Sequence, residues 1–190
     1  EGFARDPGLV HNFYNARREN AAGASPNAAH TALADLAGRS DGAVTLVTQN
    51  IDDLHERGGA KDVIHMHGEL MRALCQFCGA RWDAPERMEP SDLCPTCSRP
   101  GTRPDVVWFG EIPYHMERIA EAIAKADLFV SIGTSGEVYP AAGFVEEARA
   151  FGARTLEINL EPSRIPGLFD RVIAGPATRT VPAWVAELSR

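Results

Sequence analysis

"AVTLVTQNIDDLH", residues 43–55, decides the fold. Its opening AVTLVT is a continuous apolar run rather than an alternating one, which suits a strand buried on both faces, as in a parallel sheet. The run then breaks into a turn dense in amides and carboxylates. Ligands of open α/β sheets bind at the carboxyl ends of strands, so Gln49, Asn50 and Asp52 stand where a ligand would be held. Taken alone, a Thr-Gln-Asn turn reads more readily as loop capping.

The same pattern recurs outward along the chain. VVWF at 106–109 is a second apolar run, DLFVSIG at 127–133 runs into GTSG, and TLEINL at 155–160 runs into Asn159, Leu160 and Glu161. Leu9, Val10, Phe13 and Ala16 are spaced three to four apart and predict a helix over 8–20. Ser25 as N-cap and Pro26 in the first turn predict a second helix through Leu36, stopped by Gly38. Further helices are expected around 115–126 and 140–151, a strand at RVIAG (171–175) and a closing helix at PAWVAEL. Strand and helix alternate, which predicts a doubly wound, Rossmann-like α/β parallel sheet with several polar strand ends on one edge, as a nucleotide crevice requires. No G-x-G occurs in the 190 residues, so the usual phosphate-cradling loop is not among them. Either no dinucleotide binds or that loop lies upstream; the chain opens on Glu1 rather than methionine, and upstream residues are expected.

The composition, 44% apolar and 24% charged, is that of a soluble globular protein. A formal net charge of -7 gains nothing from phosphate backbones, so no nucleic-acid partner is expected. No stretch approaches the roughly 18 apolar residues of a membrane span, and EGFARDPG lacks the pattern of a signal peptide. The expectation is a cytoplasmic protein with no membrane partner.

Residues 73–102 break the alternation and read as a small inserted module, leaving 1–72 and 103–190 as the Rossmann-like domain. Cys75, Cys78, Cys94 and Cys97 form C-x2-C-x15-C-x2-C, the spacing of a tetrahedral four-thiolate zinc site. Four sulfurs leave the ion no open position, so its role is structural. His65 and His67, in HMHG just upstream, are then left without a metal; a zinc-dependent hydrolase using both as ligands is the alternative.

In order, "TQNIDDLH" at 48, "HMHGE" at 65, the paired Cys-x-x-Cys at 75 and 94, "PDVVWFGE" at 104, "GTSGEVYPAA" at 133 and "NLEPS" at 159 resemble the sirtuin family of NAD-dependent protein lysine deacylases. The likeness spans almost the whole chain, and only the family's Gly-Ala-Gly cofactor loop is absent. It implies NAD and zinc as cofactors and acylated lysine side chains of other proteins as partners. By resemblance His67 is the general base and His65 has no assigned role; a neutral imidazole can take a proton near neutral pH. Gly68 is expected to let the substrate approach the backbone. Gln49, Asn50 and Asp52 match positions at the nicotinamide ribose, and Gly133, Thr134, Ser135, Asn159, Leu160, Glu161 and Ala177 match positions lining the adenosine half. The backbone of Val107, Trp108, Phe109, Gly110 and Glu111, with that of 136–139, would sandwich the substrate as an added strand.

The implied reaction expels nicotinamide as the acyl oxygen attacks the ribose. A ribose hydroxyl deprotonated by His67 then attacks the resulting alkylamidate, giving free lysine and an acyl-ADP-ribose. Tyr14 and Arg17 lie three apart on the first helix and share a face, which by spacing alone reads more readily as a solvated helix face with Tyr14 half packed. They resemble the Tyr-x-x-Arg pair of the branch that removes succinyl and malonyl groups, where a planar guanidinium suits a carboxylate. The alternatives are ADP-ribosyl transfer to a protein side chain and a non-catalytic zinc-ribbon interaction fragment. Without an upstream phosphate loop these 190 residues are expected to bind NAD weakly and to be a poor enzyme.

Overall fold

The structure, a computed structural model, describes residues 2–39, 42–163 and 167–188. In chain order the elements are α1 (Gly2–Arg5), α2 (Pro7–Gly23), α3 (Ala28–Arg39), β1 (Leu46–Thr48), α4 (Leu54–Arg57), β2 (Val63–His65), β3 (Gly68–Cys75), β4 (Arg81–Asp83), β5 (Thr102–Val106) and α5 (Met116–Ala124). There follow β6 (Leu128–Ile132), a 3-10 turn (Ala141–Gly143), α6 (Phe144–Ala150), β7 (Arg154–Asn159), β8 (Arg171–Ala174) and α7 (Ala177–Leu188). They fall into two compact units, one made of Glu1–Ser25, Leu46–Arg57 and Val63–Tyr114, the other of Pro26–Thr45, Gly58–Asp62 and His115–Arg190.

In the first unit β1 and β2 pair in parallel, with Thr48 opposite His65. The strand expected over 43–48 is shorter than the apolar run, starting at Leu46. A second, antiparallel sheet has the order β4-β3-β5. Here the expectation of a strand over 106–109 in the parallel sheet is corrected. Only Val106 is in a strand, at the end of β5, which runs antiparallel to β3 with Val106 opposite Gly68. The apolar run reflects burial rather than strand: Val106 is buried and Trp108 partly so, packed with Tyr14 and Leu70, while Phe109 is fully exposed. Periodicity reports burial and says nothing of pairing direction.

Gly68 adopts φ +81, and a Cβ there would lie 2.1 Å from the Asp105 carbonyl oxygen. Glycine is therefore demanded by the chain's own strand pair. No approaching substrate is needed to explain it.

In the second unit β6, β7 and β8 are all parallel, in that order. Ala29 of α3 and Val181, Trp184 and Val185 of α7 bury against Leu156 and Ile158 of β7. The spacing of 181, 184 and 185 puts these three on one helix face, and Ile158 beneath is fully buried. Helix α3 is capped by Asn27, whose Oδ1 accepts the Ala29 N–H at 2.9 Å, and Gly38 lies inside it. The expected cap at Ser25 and stop at Gly38 are thus corrected: an asparagine nearer the first free N–H groups satisfies them, and one glycine weakens a packed helix by only about 1 kcal/mol.

Parallel strands covered by helices make this a Rossmann-like α/β fold, although among the described residues they lie in two sheets, β1-β2 and β6-β7-β8. Among the described residues no helix is long and apolar enough to cross a membrane.

Candidate active site and metal centre

The cysteine module is two copies of one local turn. After Cys75 the chain turns so that the Gly79 N–H donates to the Cys75 carbonyl at 2.9 Å, and after Cys94 the Ser98 N–H donates to the Cys94 carbonyl at 2.9 Å. Gly79 (φ +73) and Ser98 (φ +56) both take the left-handed conformation that closes such a turn. Backbone N–H groups also point at sulfur, Phe77 to Cys75 and Thr96 to Cys94, each at 3.4 Å. The four Sγ atoms lie within 4.8 Å of one another, with Cys75–Cys97 and Cys78–Cys94 both at 3.7 Å. A tetrahedron of sulfurs about 2.3 Å from zinc has edges of about 3.8 Å, so the donor set fits zinc.

Four sulfurs this close share their protons unequally. Against the opposing effect of burial, backbone N–H groups of Cys97 and Thr96 pull the Cys94 thiol down to about 6. The Cys78 thiol is lowered by the Ala80 backbone but raised more by burial and its three sulfur neighbours, to about 12. A divalent cation resolves the conflict by accepting all four as thiolates. Among the described residues no histidine or carboxylate joins this group, which leaves the ion closed and the reading of His65 and His67 as zinc ligands without support.

The two histidines, one ending β2 and the other just ahead of β3, make different contacts. His65 is buried, with Nδ1 at 3.3 Å from the Asn50 carbonyl and Nε2 at 2.7 Å from the Glu56 carboxylate. Both its nitrogens face acceptors, so the ring is a strut from β2 to α4. His67 is half-buried, and its Nδ1 lies 3.0 Å from the Gln49 carbonyl. A carbonyl only accepts, so Nδ1 carries the proton and the neutral ring has its lone pair on Nε2. The His67 carbonyl accepts the Val107 N–H at 2.8 Å, which ties the same residue to the segment after β5.

Around it the Asn50 N–H donates to Thr48 Oγ1 at 3.0 Å and the Leu54 N–H to Asp52 Oδ1 at 3.1 Å. Asn50 itself is exposed, and Gln49 and Asp52 are half-buried. The Thr-Gln-Asn turn is capped as its composition suggests and also supplies the carbonyl that orients His67.

In the second unit the polar ends of β6, β7 and β8 are level. The Gly133 N–H donates to the Ile158 carbonyl and the Gly175 N–H to the Asn159 carbonyl. Asn159 Nδ2 donates to the Thr134 carbonyl at 2.7 Å, while Thr134 Oγ1 and Ser135 Oγ accept N–H groups of their own turn. Buried Glu157 accepts from Ser163 N–H and Oγ and so holds the loop containing exposed Leu160 and Glu161. Ala177 opens α7.

The residues expected to meet the acyl group are only partly brought together. Tyr14 is buried and its hydroxyl accepts the Trp108 Nε1–H at 2.8 Å. Arg17, on the same helix, is exposed and lies over the Phe13 ring, 4.6 Å from its centroid. Val107 and Trp108 are half-buried, Phe109 and Gly110 exposed, and Glu111 is paired with Arg103. Sequence reasoning missed Arg103 and Glu56. Nothing local distinguishes a buried arginine from a surface one, and only its place one residue ahead of the PDVVWFGE motif hinted at it.

These are the parts of an α/β protein with a closed zinc module and an oriented histidine at a strand end. The Sir2 family model matches residues 1–140, and the chain belongs to that family. It is 59% identical to the NAD-dependent protein deacylase of Caulobacter vibrioides over 99% of this chain and 81% of that one. The NAD-dependent protein deacylase of Vibrio vulnificus is 53% identical over 99% and 78%. Among solved structures, a Sir2 homologue in complex with NAD superposes with TM-score 0.90 at 34% identity, over 98% of this chain and 74% of that one. Sir2Af2 bound to a myristoylated histone peptide does so with TM-score 0.80 at 32% identity, over 100% and 82%.

Proposed function

We propose that this chain carries an NAD-dependent protein lysine deacylase that removes acetyl groups, and succinyl and malonyl groups as well, from lysines of other proteins, releasing nicotinamide and an O-acyl-ADP-ribose. The observation that carries the reading is His67, whose ring is fixed by the Gln49 carbonyl with its lone pair on Nε2. NAD, when bound, supplies an electrophilic ribose carbon and the neighbouring hydroxyls. His67 Nε2 takes the proton of such a hydroxyl, and the Gln49 carbonyl steadies the imidazolium that forms.

Gln49, Asn50 and Asp52 hold the nicotinamide ribose side. Gly133, Thr134, Ser135, Asn159, Leu160, Glu161 and Ala177, gathered at the level carboxyl ends of β6 to β8, hold the adenosine side. The backbone from Val107 to Glu111 receives the peptide, and Tyr14 with Arg17 meets a terminal carboxylate on the acyl group once Arg17 turns from Phe13. Zinc holds the 73–102 module, with 1–72 and 103–190 as the catalytic domain. The deacylase names of the relatives and the NAD and acyl-peptide complexes of the structural neighbours support this reading. Four cysteines kept as zinc thiolates suit a reducing compartment, which supports a cytoplasmic location.

The test is mass spectrometry of acetyl-lysine and succinyl-lysine peptides incubated with stoichiometric amounts of the zinc-loaded protein and a large excess of NAD, so that weak NAD binding and slow turnover do not mask the reaction. Both peptides should lose their acyl group with one nicotinamide released per turnover. His67→Asn should lower turnover by about 100-fold to 10,000-fold with zinc content unchanged. Nicotinamide release with the acyl group still on lysine would turn the reading to ADP-ribosyl transfer.

A further inference from the structure

Residues 108–111 form a turn tied from the inside by one buried cation. Arg103, in β5, is 9% exposed. Its Nη1 and Nη2 donate to the two carboxylate oxygens of Glu111 at 2.7 and 2.8 Å, and Nη2 also donates to the Val106 carbonyl at 3.0 Å. The guanidinium lies over the Trp108 ring, 3.8 Å from its centroid. Glu111 Oε2 accepts the Trp108 backbone N–H at 2.9 Å, and the Glu111 N–H donates to the Trp108 carbonyl at 3.0 Å, closing the turn through Gly110 at φ +87. Trp108 passes the connection on, since its Nε1–H donates to the Tyr14 hydroxyl.

Packing holds this turn only at Trp108, which is partly buried against Tyr14 and Leu70. Phe109 at its apex is fully exposed and Ile112 beyond it is 82% exposed, so neither contributes packing that would fix the backbone. The paired hydrogen bonds from Arg103 also keep the Glu111 carboxyl below the usual carboxylate range, so the pair stays charged through neutral pH.

We propose that Arg103 is a positioning residue for the acyl-lysine peptide, acting through Glu111 and Trp108 to set the path of the 107–111 backbone and the direction of the Tyr14 hydroxyl. The proposal rests on the deacylase reading, in which that backbone receives the peptide. A guanidinium is suited to the task because it is planar: it donates two parallel bonds to one carboxylate while stacking on an indole. A lysine ammonium at the same place keeps the charge and loses both geometric constraints.

The experiment compares wild type, Arg103→Lys, Glu111→Gln and the double variant. Peptide affinity is read by fluorescence anisotropy with a labelled acyl-lysine peptide, KM and kcat by turnover, and integrity by zinc content. Arg103→Lys should weaken peptide binding about fivefold to thirtyfold, the effect of roughly one to two hydrogen bonds of ordinary net strength. It should appear mainly in the peptide KM, with kcat falling less than about threefold and zinc retained. If both residues act as one unit, the double variant should be no more than about twofold worse than the poorer single variant. Unchanged peptide affinity in Arg103→Lys would overturn the proposal, as would a parallel fall in kcat, affinity and zinc content, which marks a merely structural residue. A wild type that binds no acyl-lysine peptide would overturn the deacylase reading and this inference with it. A wild type that binds and turns over the peptide, matched by Arg103→Lys, would overturn this inference alone.

Discussion

Helices α2 and α7 bury opposite kinds of surface. From α7 the buried residues are Val181, Trp184 and Val185, laid on a parallel sheet. From α2 they are His11, Tyr14, Asn15 and Arg18. Asn15 donates through Nδ2 to the Met88 carbonyl at 3.0 Å and accepts the Met88 N–H at 2.9 Å. Arg18 donates to the Leu70 and Glu86 carbonyls and to Asn15. His11 is 1% exposed, and burial lowers its pKa and keeps it neutral. The difference follows from what each helix covers. A sheet satisfies its own backbone and asks only for apolar cover, whereas the irregular chain between β4 and β5 leaves buried N–H and C=O groups that need partners. On α2, Asn15 and Arg18 supply partners at Met88 and Glu86 in place of the ladder that this segment lacks.

The largest expected effect is on the metal-held side. Structural zinc sites contribute about 10–16 kcal/mol of apparent binding free energy, which is also folding free energy for the chain around them. Cys94→Ser should therefore abolish stoichiometric zinc, measured by atomic absorption, and expose residues 76–101 to proteolysis. Amides of β6 to β8 should keep their hydrogen-exchange protection. If those strands lost protection equally, the two regions would be one cooperative body and the contrast would fail.

On the apolar side, Trp184→Ala removes a large side chain that is 5% exposed from the α7 core and should cost about 3–5 kcal/mol in denaturant unfolding. Zinc content should not change. Metal loss in this variant would show that the sheet core also supports the module.

Smallest, and aimed at the polar face of α2, is Asn15→Ala. It strips a buried N–H and a buried C=O of Met88 of their partner and should cost about 2 kcal/mol. Cleavage near Met88 should accelerate while zinc remains bound. A neutral outcome would mean that water serves Met88 as well as Asn15 does.

Much of this was legible in the sequence, where the determining interactions are local. The spacing of Cys75, Cys78, Cys94 and Cys97 specifies two identical knuckles, because each knuckle is closed by hydrogen bonds within five residues. Apolar runs separated by a helix specify β6 and β7, because a parallel pair needs a crossover between its members, whereas β8 is marked by its own short run RVIA alone. The order of motifs identified the family. What the tertiary structure alone decided depends on partners far apart in the chain. His65 and His67 are two residues apart and alike in type. One is a strut and the other an oriented imidazole because Glu56 stands near the first and the Gln49 carbonyl meets the second. VVWF has the composition of a parallel strand, yet β5 turns antiparallel because the chain returning from the metal module meets β3. Arg17 and Arg18 are adjacent and chemically identical. One is exposed and one buried, because a helix turns by about 100° per residue and only the second faces the carbonyls of Leu70 and Glu86.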